Sequence, residues 1–261
     1  MSSSRISLCR GALAWAIVWA VVFAIARVSL AADVESDWLP LHAGNQWVYD
    51  VHRDHTYQPD DADIDRVFHT GRSVQVAEPV GESARGGFRI VDTTSLRPTQ
   101  TNGKPETAIT ARVLSFDGGL QMLRSTATRP DGATNEDVYK PPLRMLTTTA
   151  IGESWKVGTF RDGDLSIELQ AEVVTADKAD PPCAGCLKVR YRGPVTGSIP
   201  IYQGSAKIES GRFERVVWMQ RGVGIVREIG TVESDLRLPD GKHAKILAVT
   251  TLKLAEHRVA Q

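Results

Sequence analysis

Cys183 and Cys186 are the first residues of this sequence whose type and spacing could do chemistry. They stand in Pro181-Pro182-Cys183-Ala184-Gly185-Cys186, a C-x-x-C step. Such a pair becomes redox-active when its first thiol sits at a helix N-terminus, where the dipole lowers the thiol pKa. Here the step runs into Leu187-Lys188-Val189-Arg190-Tyr191-Arg192, which alternates apolar and basic residues like a strand. That context favours a local disulfide staple over a redox pair. Zinc would need two further ligands, and no second cysteine pair follows.

Asp61-Ala62-Asp63-Ile64-Asp65 spaces three carboxylates as a calcium loop does. The sixth position is Arg66 where such a loop needs Gly, and the twelfth is Arg72 where it needs a bidentate Glu. His52, His55 and His69 flank this stretch, with Asp54 beside them. On extended backbone the odd offset sends His52 and His55 to opposite faces. Surface histidines in a polar region are therefore expected, not a metal centre. Gly222-Val223-Gly224 lacks a third glycine, since Arg227 stands there, and a strand follows where pyrophosphate binding needs a helix. Gly81-Glu82-Ser83-Ala84-Arg85 and Gly152-Glu153-Ser154-Trp155-Lys156 both lack the closing glycine of a hydrolase elbow. These patterns leave no catalytic residue, no metal ligand and no cofactor to expect, and the ligand-binding residues unknown.

The elements that would position any site come from the rest of the chain. Residues 1–31 read as a secretory leader: basic Arg5 and Arg10, an apolar stretch from Gly11 to Ala26, then Ser29-Leu30-Ala31. The stretch falls short of the ~20 residues that span a bilayer comfortably. Cleavage is expected after Ala31, with Ala32 as the alternative. No further membrane span is expected beyond it. The remaining chain carries 28 basic against 31 acidic residues, a net charge of −3. That mild balance makes nucleic acid a poor partner.

Residues 32–261 read as strands and tight turns. Trp47, Tyr49 and Val51 alternate with Val48, Asp50 and His52. Leu165, Ile167, Leu169, Ala171 and Val173 alternate with Ser166, Glu168, Gln170 and Glu172. Shorter runs lie at Ser73–Ala77, Phe88–Thr93, Ala111–Phe116, Leu120–Ser125, Arg215–Met219, Gly224–Glu228 and Lys245–Leu254. Asp117-Gly118, Asp131-Gly132, Asp162-Gly163 and Asp240-Gly241 punctuate them as hairpin turns. The expected fold is all-β and mainly antiparallel, a curved sheet or barrel-like domain with few short helices. Gly44 and Gly152 each precede a tryptophan by three residues, Trp47 and Trp155. That echo suggests two similar halves, 32–140 and 141–261, meeting near Pro141-Pro142.

Three segments carry a resemblance. Trp38-Leu39-Pro40-Leu41-His42-Ala43-Gly44-Asn45-Gln46-Trp47-Val48-Tyr49 resembles the start of many uncharacterised secreted bacterial β-rich proteins. Gly152-Glu153-Ser154-Trp155 resembles their middle motif. Trp218-Met219-Gln220-Arg221-Gly222-Val223-Gly224-Ile225-Val226 resembles their late one. The resemblance covers about an eighth of the chain and implies a β-rich secreted domain without an assigned reaction. A weaker likeness, at the level of fold, is to curved-sheet periplasmic carriers of lipids and lipoproteins. Gly44, Asn45, Trp47, Tyr49, Gly152, Trp155, Trp218, Gly222 and Gly224 are thus expected to build structure: the glycines turns, the tryptophans plugs at strand ends.

The combined expectation is a periplasmic or secreted, non-catalytic protein of the cell envelope. It would bind an apolar ligand, lipid or lipoprotein, or else a protein partner. A hydrolase or carbohydrate-active enzyme with scattered residues, and a structural or assembly module, are the alternatives.

Overall fold

The computed structural model describes residues 38–260 apart from 61–62, 81–86, 100–103, 117, 176–182 and 202–203. The leader, the Gly81-Glu82-Ser83 step and Asp61 lie outside the described residues.

The alternating runs form strands longer than the runs themselves. The first six are β1 (Gln46–Pro59), β2 (Asp65–Pro79), β3 (Phe88–Pro98), β4 (Glu106–Phe116), β5 (Leu120–Thr128) and β6 (Thr134–Leu146). After a loop come β7 (Ser154–Asp162), β8 (Leu165–Val174), β9 (Leu187–Thr196), β10 (Ser198–Ile201), β11 (Gly204–Gln220), β12 (Gly224–Arg237) and β13 (His243–Arg258). The described residues contain no helix, so the few short helices expected do not occur there.

All pairings are antiparallel and belong to one sheet of 13 strands, ordered β6-β5-β4-β3-β2-β1-β13-β12-β11-β9-β8-β7, with β10 on β11. Each strand pairs with its chain neighbour, the arrangement that tight hairpin turns produce. The exceptions are β9, which pairs with β11 past β10, β6 and β7, which do not pair, and β1 with β13, a pairing that runs the whole length of β1 and joins the first strand to the last. β6 and β7 end the path yet lie side by side. The sheet therefore curls into a barrel that is nearly closed. Pro141 and Pro142 lie inside β6, not between elements.

The faces sort as period-two alternation requires. Leu165, Ile167, Leu169, Ala171 and Val173 of β8 point inward and are buried, while Ser166, Glu168, Gln170 and Glu172 point outward. The interior gathers Trp47, Tyr49, Ile90, Leu96, Leu114, Phe160 and Tyr191, all fully buried. Burying one such side chain contributes about 1.5–3 kcal/mol, and together they drive the curl. Two hairpins share one turn, Pro130-Asp131-Gly132 between β5 and β6 and Pro239-Asp240-Gly241 between β12 and β13. In each, the Asp carboxylate accepts from the backbone N–H two residues on, that of Ala133 at 2.9 Å or Lys242 at 3.1 Å. The strand ends are closed by matching backbone bonds, Arg129 N–H to the Ala133 carbonyl and Leu238 N–H to the Lys242 carbonyl.

Candidate functional site

The early and late segments carrying the resemblance meet at one end of the barrel. The Trp47 indole N–H donates to the Val223 carbonyl at 2.8 Å, and the Tyr49 hydroxyl to the Ile225 carbonyl at 3.1 Å. The early motif thus grips the Gly222-Val223-Gly224 turn from 176 residues away. Asn45 is fully buried; its amide donates to the Pro40 carbonyl at 3.0 Å and its oxygen accepts from Ala260 N–H at 2.9 Å. Trp47 also stacks on His257, with ring centroids 5.4 Å apart. This cluster clasps the first and last strands to one turn, and it holds no nucleophile beside a base.

Gly44 and Gly152 do the same local work. Both sit at left-handed φ, 87° and 86°, where a side chain is strained. Gly44 N–H donates to the Ala77 carbonyl and Gly152 N–H to the Val173 carbonyl, both at 2.8 Å. The residue after each completes the pattern: Ala77 N–H donates to the Asn45 carbonyl, and Val173 N–H to the Glu153 carbonyl, both at 2.9 Å. The tryptophans that follow differ. Trp47 is sealed in the core, whereas Trp155 is half-buried and donates to the Arg144 carbonyl of β6 at 2.7 Å. Trp218 points to the outer wall, buried beneath Lys188 and Arg227, whose charges lie 5.2 and 5.1 Å from its ring.

Sequence reasoning missed the charges inside the barrel. Asp92 of β3 accepts from Ser73 at 2.8 Å, Thr94 at 2.9 Å and Gln75 at 3.0 Å, with Arg112 of β4 3.9 Å away. Arg215 of β11 is paired with Glu228 of β12. All four are almost completely buried. Burial pushes the Asp92 and Glu228 carboxyls up and pulls Arg112 down to about 10, while each partner's charge works in the opposite direction. Arg112 also feels Arg215 and Glu228, so the pairs from the two walls interact across the interior. Arg53 of β1 is buried with them, its Nε donating to Thr250 at 3.3 Å. A signal was available: Arg53 continues the inward phase of Trp47, Tyr49 and Val51, and Arg215 falls between Phe213 and Val217. Both carboxylates are tied to arginines and closed to solvent, the position of structural ion pairs rather than of a hydrolytic pair.

The remaining candidates separate. His52 is exposed on the outer wall, while His55 and His69 point inward on β1 and β2. Burial and then the Arg53 charge push both of the latter down to about 4. Asp54 pairs with Arg66, whose hydrogen bond holds its carboxyl below the usual range. No group of three metal-ligating side chains gathers among the described residues. Cys183 and Cys186 form a disulfide, Cα atoms 5.6 Å apart, in the turn that feeds β9. Of the basic row expected on β9, Arg190 pairs with Glu172 at 2.8 Å and Lys188 covers Trp218.

Arg192 lines a groove of about 820 Å³ on the outer wall of β7, β8, β9 and β11. Lys156, Glu168, Gln170, Pro194, Arg212 and Glu214 form its rim, with the buried Leu169 and Phe213 beneath. The groove has a cause in the sequence. Gly193 and Gly211 take inward positions, where a Cβ on Gly193 would run into the Glu168 carbonyl and one on Gly211 into Ser234 and Val195. With no side chain there, the neighbouring strands approach closely, and both glycines line the groove. A smaller groove of about 390 Å³ lies beside His243, Glu209, Asp235 and Lys245. There the polar side chains pair among themselves, His243 with Glu209 at 3.0 Å and Lys245 with Asp235 at 3.5 Å.

No family model and no curated protein matches this chain. Among solved structures, Ail, the attachment invasion locus protein of Yersinia pestis, aligns with 7% identity over 82% of this chain and 99% of that one, at a TM-score of 0.20. A score that low carries nothing from that protein to this chain.

Proposed function

We propose that this chain is an exported, non-catalytic binding protein of the bacterial cell envelope, and that it receives a protein partner on its outer wall. The groove over β7, β8, β9 and β11 carries the reading. Its rim alternates Arg192 and Arg212 with Glu168 and Glu214, the charge pattern that fixes register at a protein interface. The interior is less suited to an apolar ligand, because the Asp92–Arg112 and Arg215–Glu228 pairs face each other across it. The outer wall suits water: Glu168, Gln170 and Glu172 on β8 and Lys207, Arg212 and Glu214 on β11 point outward. A lipid-facing barrel reverses this, with an apolar band outside and polar side chains inside. No helix among the described residues is long and apolar enough to cross a membrane. We also propose that the chain is two related halves, β1–β6 and β7–β13, joined at residues 147–153. The paired glycine-tryptophan starts and the paired Pro-Asp-Gly turns support that division.

A photo-crosslinking residue placed at Gln170 tests the partner, with one at Thr70 on the outer face of β2 as control. An adduct of one defined size is expected from position 170 alone, weakened about tenfold when Arg192 and Arg212 are both changed to Glu. A lipid retained in native mass spectra, with no position-specific adduct, would transfer the case to the apolar carrier. Export has its own check. N-terminal sequencing of the processed protein should begin at Ala32, or at Asp33 for the alternative cleavage.

A further inference from the structure

Among the described residues, every junction between strands that are neighbours in this barrel is a hydrogen-bonded ladder except one. β6 and β7 touch, but no strand pairing joins them. β6 is poorly equipped to pair. Pro141 and Pro142 have no N–H to give, and its ladder to β5 jumps from Met122–Leu143 to Arg124–Val138, leaving residues 139–142 outside it. Side chains hold the seam instead. Trp155 donates to the Arg144 carbonyl, Tyr139 stacks on Phe160 with centroids 6.0 Å apart, and the Leu143 side chain lies over Gly158.

At the far end of the seam two carboxylates occupy the inner face. Asp162 of β7 is only 4% exposed and accepts one hydrogen bond, from Asn135 of β6 at 3.3 Å. Asp137 lies two residues further along β6, half-buried on the same face. The charged and titratable groups acting there are Asp137 and Tyr139 from β6, Arg129 from the β5–β6 turn and, on β7 itself, Arg161, which acts on Asp137. β8 sets apolar Leu165 opposite Asp162.

We propose that the β6–β7 seam is a proton-controlled lateral opening in the barrel wall, closed when Asp162 is protonated beside Asp137 and loosened when both are ionised. The chemistry follows from the geometry. A protonated Asp162 keeps its bond from Asn135 and carries no charge to repel Asp137. An ionised Asp162 accepts only, stays buried with one amide donor, and repels Asp137. Elsewhere in the barrel a ladder would absorb that repulsion. Here side-chain contacts alone oppose it, and loosening them uncovers Tyr139, Leu143 and Phe160 from inside. Burial, reinforced by Asp137, pushes Asp162 up to about 6, which places the change between acid and neutral conditions.

Hydrogen exchange of the full processed protein at pH 5.0 and 7.5, corrected for intrinsic rates, tests this. Amides of β6 and β7 should open about tenfold more at pH 7.5, while those of β1 and β13 stay unchanged. Asp162→Asn should remove the response and hold the seam at its pH 5.0 protection. Equal protection of β6 and β7 at both pH values, a uniform change over all strands, or an unaltered response in Asp162→Asn would each overturn the proposal. Should Asp162→Asn fail to fold, Asp137→Asn serves, and it should cut the response at least threefold. An Asp162 carboxyl resonance that titrates with no accompanying shift of β6 amides would also overturn it.

Discussion

The barrel closes at two places, and they are built from matching parts. At each, a strand that follows a Pro-Asp-Gly turn lies beside a strand that opens with a left-handed glycine and a tryptophan. At one, β13 pairs with β1 from Gln46 to Pro59. At the other, β6 lies beside β7 with no ladder. β13 contains no proline, whereas β6 carries Pro141 and Pro142. The tryptophans follow suit: Trp47 is sealed under His257 and bonded to a distant turn, while Trp155 is half-buried against β6. The lesson is that similar local sequence sets similar local turns, while backbone donors decide whether the neighbours zip together. The largest expected effect measures this difference directly. Trp47→Ala should cost about 3–5 kcal/mol, as a large core truncation does. Trp155→Ala should cost only about 1–2 kcal/mol, for partial burial and one hydrogen bond. Urea unfolding of the two variants compares them, and equal losses would erase the asymmetry.

That asymmetry was only half legible in the sequence. Alternation in Leu165–Val173 and the Asp-Gly punctuation gave strands, turns and an antiparallel barrel-like sheet, because period two and turn chemistry are local properties. β6 was not legible as a strand, since Pro141-Pro142 reads as a break. It persists because β5 still pairs with both sides of the interruption. Partners across the barrel were illegible too. Nothing local says that Trp47 reaches Val223 or that Arg112 feels Arg215. The interior arginines were readable by phase, but only once the apolar side of each strand was counted through its polar members. The groove was hidden for a different reason, because it is set by how four strands pack, with Gly193 and Gly211 in its lining, and no local pattern marks that.

The junctions should also answer acid with opposite signs. His55 and His69 sit on β1 and β2, and each is pushed down to about 4 by burial and by Arg53. A depressed base binds fewer protons folded than unfolded, so its contribution is present above pH ~6.5 and lost as pH falls toward 4. Asp162 is raised, so its contribution is full below pH ~4 and lost as pH climbs through about 6. The two contributions change over the same window with opposite slopes, so two histidines against one carboxyl leave stability rising with pH between about 4 and 6. Changing His55 and His69 to Gln should remove that rise, by about 2 kcal/mol, and leave stability falling with pH through the Asp162 contribution. A rise that survives both changes would detach the histidines from the laddered side.

A smaller effect separates the two strand starts. Gly44→Ala and Gly152→Ala each force an L residue into left-handed backbone, about 1–2 kcal/mol apiece. A Cβ at Gly152 meets open space, whereas one at Gly44 comes within 3.1 Å of the Ala260 Cβ. The excess at Gly44 should be a few tenths of a kcal/mol, and thermal melts of the pair would resolve its sign. A larger loss at Gly152 would mean that the open junction, not the laddered one, limits stability.

The smallest effect asks whether the prolines alone keep β6 and β7 apart. Residues 141 and 142 lie in the stretch that leaves the β5 ladder, and as prolines they have no N–H to offer any neighbour. Changing both prolines to Thr restores two donors beside β7. A new strand bond contributes about 0.5–1.5 kcal/mol, and losing proline's restriction of the unfolded chain costs about 0.4–1 kcal/mol for each residue. Global stability should therefore move by less than about 1 kcal/mol. Exchange at the β7 amides facing β6 should nevertheless slow, because exchange reads the local opening and not the balance with the unfolded chain. If those amides exchange as before, the missing ladder belongs to the four-residue bulge at 139–142. The difference between the two junctions would then be one of register rather than of donors.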